Sequence, residues 1–451
     1  MKNGITRRHF VGAGGVMAAG SLGWGAEAST PTGLGQAKPF QRLKETVFRA
    51  DVLVCGGGPS GMAAATMAAR QGAKVLLVER YGRMGGMGVQ AGVSPLMGAS
   101  NSAFVREVLQ RLGGRAAQME RMDLEYADLV LEAGGKVLLH TWATETLQQG
   151  NRVSGVRAIC KQGSLRIEAG VTVDATGDGD VAFAAGAAFE QGRPGDGLLQ
   201  PATIQYRIGG VNTAEGLLCG SEEAAMKVSV PEGTWHDVVR KGQQTGELPE
   251  AIGVIRVYAS CYPNERVINA TQVNGIDGTK VEDLTRAELA ARKQAFQVLE
   301  FLKKHAPGHE RAYLSAMPAV VGIRETRRFL GVSYLVREDL IKGRKWPEAV
   351  VRDASFVIDI HNPSGSGQAE RFAAKVKPYD IPYGCLVPRE VDGLLLAGRC
   401  ISGSHEAHAS YRVQCIAMAV GAAAGAAAGV AAKTQCQPRE APIEQIQKVL
   451  R

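Results

Sequence analysis

The chain has eight cysteines among its 451 residues, but no C-x-x-C pair and no Cys/His cluster at zinc spacing, so no metal site is assigned. No disulfide is expected either: Cys55 falls in an apolar strand and Cys415 in an apolar helix, where a buried free thiol is the ordinary state. Runs of Lys or Arg and basic-aromatic stripes are absent, so nucleic acid is not implied as a partner. There is no short repeat and no charged block. Long apolar runs are also missing. Residues 417–432 are mostly Ala and Gly and fall short of the ~20 strongly apolar residues of a membrane span. They read as a tightly packed buried helix, leaving no integral span in the mature chain.

What is present is globular in character: 45% hydrophobic and 21% charged residues, with 57 glycines that follow no G-X-Y period. The length suggests two domains. Thr6, Arg7, Arg8, His9 and Phe10 precede a weakly apolar, glycine-rich run that ends at Ala26-Glu27-Ala28. This resembles a twin-arginine export signal cleaved after Ala28. It implies recognition by the twin-arginine translocation machinery and a periplasmic destination for a protein folded and loaded with cofactor before export. Of the formal charge of +8, Lys2, Arg7, Arg8 and Glu27 contribute +2, leaving a mildly basic +6 that keeps an anionic small substrate open.

After a leader at 29–48, residues 50–56 read as a strand, 59–71 as a helix and 74–79 as a second strand, the alternation of a parallel sheet. Helical patterns at 101–113 and 119–133 are followed by strand-like runs at 136–140, 153–160 and 165–175. The texture then changes, with turn clusters and an amphipathic helix at 285–304, before an apolar strand at 393–398 and the Ala/Gly helix return. The fold class expected is α/β. A Rossmann-like nucleotide-binding domain with a parallel sheet spans 49–189 and 376–434, and an inserted mixed α+β substrate domain spans 190–375. A C-terminal tail covers 435–451.

The segment GGGPSG ends the first strand and opens the first helix. Gly56 permits the tight turn, Gly58 lets backbone approach a pyrophosphate, and Gly61 lets the helix pack on the sheet. Pro59 and Ser60 begin the helix whose free N–H groups and positive dipole end suit phosphates. Glu79, 21 residues after Gly58 at the end of the next strand, is placed to accept hydrogen bonds from ribose hydroxyls. Asp174, Asp178 and Asp180 fit no EF-hand spacing and read as turn chemistry.

With GGGPSG and Glu79 stand GRMGGM (82–87), DATGDGD (174–180), GIRETRRFLG (322–331), YDIPYGCLVP (379–388) and AGRCISGSHEAH with its following YRV and AVGAAAG. Together these resemble the FAD-dependent oxidoreductases of the glutathione-reductase type, and among them the large bacterial family usually called simply FAD-dependent oxidoreductase. The resemblance covers most of 50–432 and implies noncovalent FAD. It implies that Glu79, beside Arg80, holds the adenosine ribose, and that Gly85 and Gly86, with Met87, line the pyrophosphate. Ala175, Thr176 and Gly177, followed by Asp178, would close over the nucleotide half. Gly398 and Arg399 would meet the ribityl chain, and the helix near Gly421 would aim its N-terminus at the flavin. Arg399 stands where the wider superfamily has an aspartate.

Flavin chemistry needs a proton acceptor and charge near the ring. His405 is the first candidate, with His408, Glu406 and Arg412 beside it in the connection before the last helix. Arg324 and Arg328 share one face if their segment is a strand, and a guanidinium there suits a carboxylate. His361 and Tyr383 are further candidates. No redox C-x-x-C accompanies the flavin motifs, which sets aside disulfide reductases. The expected activity is hydride transfer between a small organic substrate and FAD. Electrons then pass to a quinone, a cytochrome-like carrier protein or dioxygen, because nicotinamide nucleotides are scarce outside the cytoplasm. The alternatives are a non-catalytic flavin-binding carrier or assembly protein and an NAD-dependent dehydrogenase.

Overall fold

The computed structural model describes residues 45–116, 118–367 and 376–451; the twin-arginine segment and most of the expected leader lie outside these residues. Strand β1 (Thr46–Cys55) leads into helix α1 (Pro59–Ala69) and strand β2 (Val75–Val78). Helices α2 (Gly86–Gln90), α3 (Ala103–Arg111) and α4 (Met119–Glu132) precede strands β3 (Lys136–Leu138), β4 (Trp142–Gln149), β5 (Arg152–Cys160) and β6 (Gly163–Asp174). Strand β1 starts four residues earlier than its apolar run, because Thr46–Ala50 pair with Leu165–Ala169 of β6.

The main sheet has the order β3-β2-β1-β6-β5-β4. Its β3-β2-β1-β6 half is parallel, and the buried Val52–Cys55 and Val75–Val78 form the continuous apolar runs that such a two-sided sheet requires. The outer edge of β6 is shared. Its first half pairs antiparallel with β5, and its end, Thr172–Asp174, pairs in parallel with the late strand Leu394–Leu396. The C-terminal part of the chain is thereby delivered to the ends of β1 and β6.

A second, four-stranded antiparallel sheet is ordered Arg256–Ala259, Arg266–Asn269, Gln205–Gly209, Tyr313–Ala316. The helix Val281–His305 covers it with Ala287, Ala291, Ala295, Val298 and Leu302, an apolar stripe at three- and four-residue spacing. This core runs from Ala202 to Val321. Its extent differs from the 190–375 expected. Phe329, Leu335, Val350 and Ile358 pack in the first core, because Arg327–Phe329 pairs with Phe189–Gln191 and Ala349–Ala354 with Tyr379–Pro382. The expected tail also contains structure: Ile443–Val449 is a helix whose Ile446 is fully buried in the first core.

The Ala/Gly helix spans Gln414–Thr434. By length and composition alone it would cross a membrane, but 94% of its apolar window is buried inside the protein. Gly421 and Gly425 form a ridge against α1, and Gly429 faces the Gln71 side chain just beyond it. A Cβ on Gly421 would lie 2.0 Å from the Ser60 carbonyl oxygen, and one on Gly425 would lie 2.1 Å from that of Ala64. The two backbones therefore touch without side chains between them.

Substituting Gly425→Leu should lower stability by about 1–3 kcal/mol through overpacking. A lower urea midpoint with unchanged steepness is the expected reading.

Candidate functional site

Gly56 turns the chain out of β1 at φ +103°, and a Cβ there would come within 2.3 Å of the Ala175 carbonyl oxygen. Gly61 faces the same turn, where a Cβ would sit 1.8 Å from the Gly56 carbonyl oxygen. Gly58 is different. Among the described residues, its added Cβ would meet only the Gly86 Cα, at 3.7 Å, so this position opens onto a cleft. Pro59 occupies the first helical position, where a missing N–H costs nothing, and the helix N-terminus faces that cleft.

The cleft has a volume of about 930 Å³. At one end lies Glu79, buried, with its carboxylate accepting the N–H of Gly57 at 2.5 Å and that of Tyr81 at 2.8 Å. Burial raises the Glu79 carboxyl above its ordinary range, while these two N–H donors oppose the rise. Arg80 lies over the rings of Tyr81 and the half-exposed Trp142, at 4.7 and 6.0 Å. Gly85 begins α2 at φ +105° and donates its N–H to the Gly57 carbonyl; Gly86 and Met87 line the wall beyond it.

Ala175, Thr176, Gly177, Gly398 and Arg399 line the cleft farther along. Asp174 lies beneath them, accepting the Thr176 N–H and hydroxyl and the Ala182 N–H, with burial pushing its carboxyl up to about 6. Two cofactor assignments are corrected here. Asp178 does not line the cleft; its carboxylate takes the Arg399 guanidinium and the Thr326 hydroxyl, so it orients Arg399. Gly421 sits two turns inside its helix against Ser60, and it is Gln414, at the first turn, that reaches the cleft. Gly61 and Gly85 likewise shape the turn without lining the space. Among the described residues, no group of three His, Cys, Asp or Glu side chains is placed to hold a metal ion.

The family described as FAD dependent oxidoreductase matches residues 51–450. The chain belongs to this family. Membership favours FAD over a nicotinamide nucleotide as the bound dinucleotide. The cleft fits FAD on its own features: a helix N-terminus for the pyrophosphate, the open Gly58 beside it, and a buried carboxylate at the end expected for ribose. Thiamine thiazole synthase of Methanococcus aeolicus is 34% identical over 146 residues, 28% of this chain and 54% of the relative. That of Pyrococcus horikoshii is 30% identical over 146 residues, 29% and 58%. The chain spans little more than half the length of these relatives. A geranylgeranyl bacteriochlorophyll reductase-like protein of Thermoplasma acidophilum is 14% identical with TM-score 0.46, covering 89% of this chain and 82% of that one.

A second cavity, of about 1150 Å³, shares Met87, Arg399, Arg412 and Gln414 with the cleft. Arg324, Arg412 and His361 all line it. Arg412 donates to the Asp359 carboxylate at 3.2 Å, His361 Nε2 lies 3.5 Å from the same group, and Arg324 donates to the Pro201 carbonyl at 2.6 Å. Burial, and next the charge of Arg324, push His361 down to about 3, so its ring is neutral. Burial disfavours the Asp359 carboxylate, yet His361, Arg412 and Arg324 hold it well below the ordinary range.

The other three catalytic candidates are elsewhere. His405 opens a short helix, His405–Tyr411, and is buried with Nδ1–H donating to Glu325 at 2.8 Å. Arg328 binds the same Glu325 and the carbonyls of Gly192 and Gly403. Only Arg327–Phe329 is extended, so Arg324 lies outside the strand and the expected shared face with Arg328 does not form. Tyr383 donates its hydroxyl to the Pro438 carbonyl at 2.6 Å. These groups tie segments of the fold together. Sequence reasoning missed Arg256, Tyr258 and Asn269, all in the cavity wall. Their signal was the alternation in RVYA, which puts Arg256 and Tyr258 on one face, with Asn269 directly opposite Arg256 in the sheet.

Gly58→Ala should cut the flavin-to-protein ratio of the purified enzyme while shifting the stability of the flavin-free chain by less than about 0.5 kcal/mol. Tyr383→Phe should cost about 1–3 kcal/mol by stranding a buried carbonyl, and leave flavin reduction by substrate unchanged.

Proposed function

We propose that this oxidoreductase transfers a hydride between a small organic molecule in the second cavity and noncovalently held FAD. Electrons then leave to a quinone, a cytochrome-like carrier or dioxygen. The observation that carries the reading is the set of residues common to the two cavities, Met87, Arg399, Arg412 and Gln414, which makes the two spaces neighbours. FAD, when bound, supplies the site that accepts or gives the hydride.

The chain's own groups do the rest. Arg412 and Arg324 hold the substrate, and the neutral His361 imidazole takes the substrate proton, with Asp359 beside it to stabilise the resulting charge. Asp178 fixes Arg399 in the common wall. The Arg7-Arg8 segment supports export by the twin-arginine route and a periplasmic site of action. In that compartment the acceptor is one other than a nicotinamide nucleotide.

Anaerobic mixing of the yellow enzyme with a panel of organic acids, sugars and amines should bleach the flavin with one class of compound. His361→Gln should slow that bleaching by roughly 10²- to 10⁴-fold without loss of FAD. If no compound bleaches the flavin, or the variant keeps the full rate, the reading fails. Acid precipitation should release FAD into the supernatant, and fractionation of cells should find the processed chain in the periplasm.

A further inference from the structure

The second cavity is unevenly charged. Among the described residues, Arg256, Arg324, Arg399 and Arg412 line it, against one carboxylate, Asp359. Its two arginine salt bridges are Arg412 to Asp359 and Arg399 to Asp178, and they use the only two carboxylates near those side chains that form such bonds among the described residues. Arg256 and Arg324 take part in neither. Arg256 is 7% exposed, and its buried Nη2 has no hydrogen-bond partner among the described residues; the buried Nε of Arg412 has none either. A buried guanidinium with an unsatisfied donor is costly, and an acceptor bound in the cavity offsets that cost. Burial and the charge of Arg412 also push Arg324 below its ordinary value, with Asp359 opposing the shift only in part.

The rest of the lining has a different chemistry. Pro95, Met97, Ile323, Phe356, Val357 and Val413 form apolar wall. Tyr258 and Asn269 stand near Arg256, with the Asn269 amide donating to the Tyr258 hydroxyl at 3.5 Å. The space therefore has a cationic polar part and an apolar part, and it meets the cofactor cleft at Arg412 and Gln414.

We infer that the cavity selects an organic acid, binding its carboxylate through Arg256 and Arg324 and seating its carbon body on the apolar wall. This deepens the proposed function and rests on its assignment of the second cavity to the substrate. A guanidinium pairs with a planar carboxylate through two parallel N–H donors, which an amine or an alcohol cannot accept in the same way. Arg256 and Arg324 act here as recognition groups; the proton is handled by His361.

The test is equilibrium binding to the FAD-loaded, oxidised enzyme, followed by perturbation of the flavin spectrum. The probes are monocarboxylates and dicarboxylates of three to six carbons, each paired with its neutral amide. Expected are binding of at least one acid, no measurable binding of its amide, and weaker binding at higher salt. Arg256→Gln and Arg324→Gln should each weaken that acid by roughly ten- to hundred-fold, with Arg256→Lys intermediate. Flavin content and unfolding temperature establish that each variant is folded. Equal binding of acid and amide, or undiminished binding in both glutamine variants, overturns the inference; so does a neutral sugar or an amine that bleaches the flavin at the same rate in all variants. An acid that binds through both arginines yet never bleaches the flavin upholds the recognition and defeats only the hydride-transfer reading.

Discussion

The glycine ridge of Gln414–Thr434 against α1 is the contact on which the site depends. Two helices brought to backbone contact at Ser60 and Ala64 are held in one relative position, because there are no side chains to slide or repack. One of them begins at the pyrophosphate turn and the other begins at Gln414, in the wall common to both cavities. The parallel pairing of Leu394–Leu396 with the end of β6 brings Gly398 and Arg399 to the same place. A cofactor site drawn from residues more than three hundred positions apart is thus positioned by close packing of small residues.

Around that packed centre, charge is arranged in two ways. Some ionic groups are paired: Glu325 holds Arg328 and His405, and Asp178 holds Arg399. These buried pairs orient backbone segments. Among the described residues, the second cavity keeps Arg256 and Arg324 outside any such pair, in a space large enough for a small molecule. The difference between a structural arginine and a binding one lies in the partner, and a sequence does not show partners.

Much of the cofactor site was legible because its elements are local. Gly56, Gly58, Gly61 and Glu79 follow from one βαβ unit, in which turn, helix start and strand end are fixed by spacing. GRMGGM and DATGDGD mark backbone turns, and glycine requirements are local as well. The catalytic candidates were read less well. His405 and Arg328 looked available because they sit in a motif-rich stretch, but Glu325 pairs with both. Arg256 lay in a short strand with no motif, and only pairing with Arg266–Asn269 and the tertiary fold place it in the cavity wall. The second core was overextended for the same reason: strand pairs between Phe189–Gln191 and Arg327–Phe329 are invisible to composition.

The sequence by itself determined the nucleotide-binding unit, the family and the presence of a buried Ala/Gly helix, since each rests on residues whose spacing sets their geometry. Tertiary structure alone decided which arginines are paired and which face a cavity, and that Gly421 serves packing while Gln414 reaches the cleft. Those outcomes depend on distances between segments far apart in the chain. Electrostatic pairing and steric contact act through space, so they follow only once the two helices and two sheets have closed on one another.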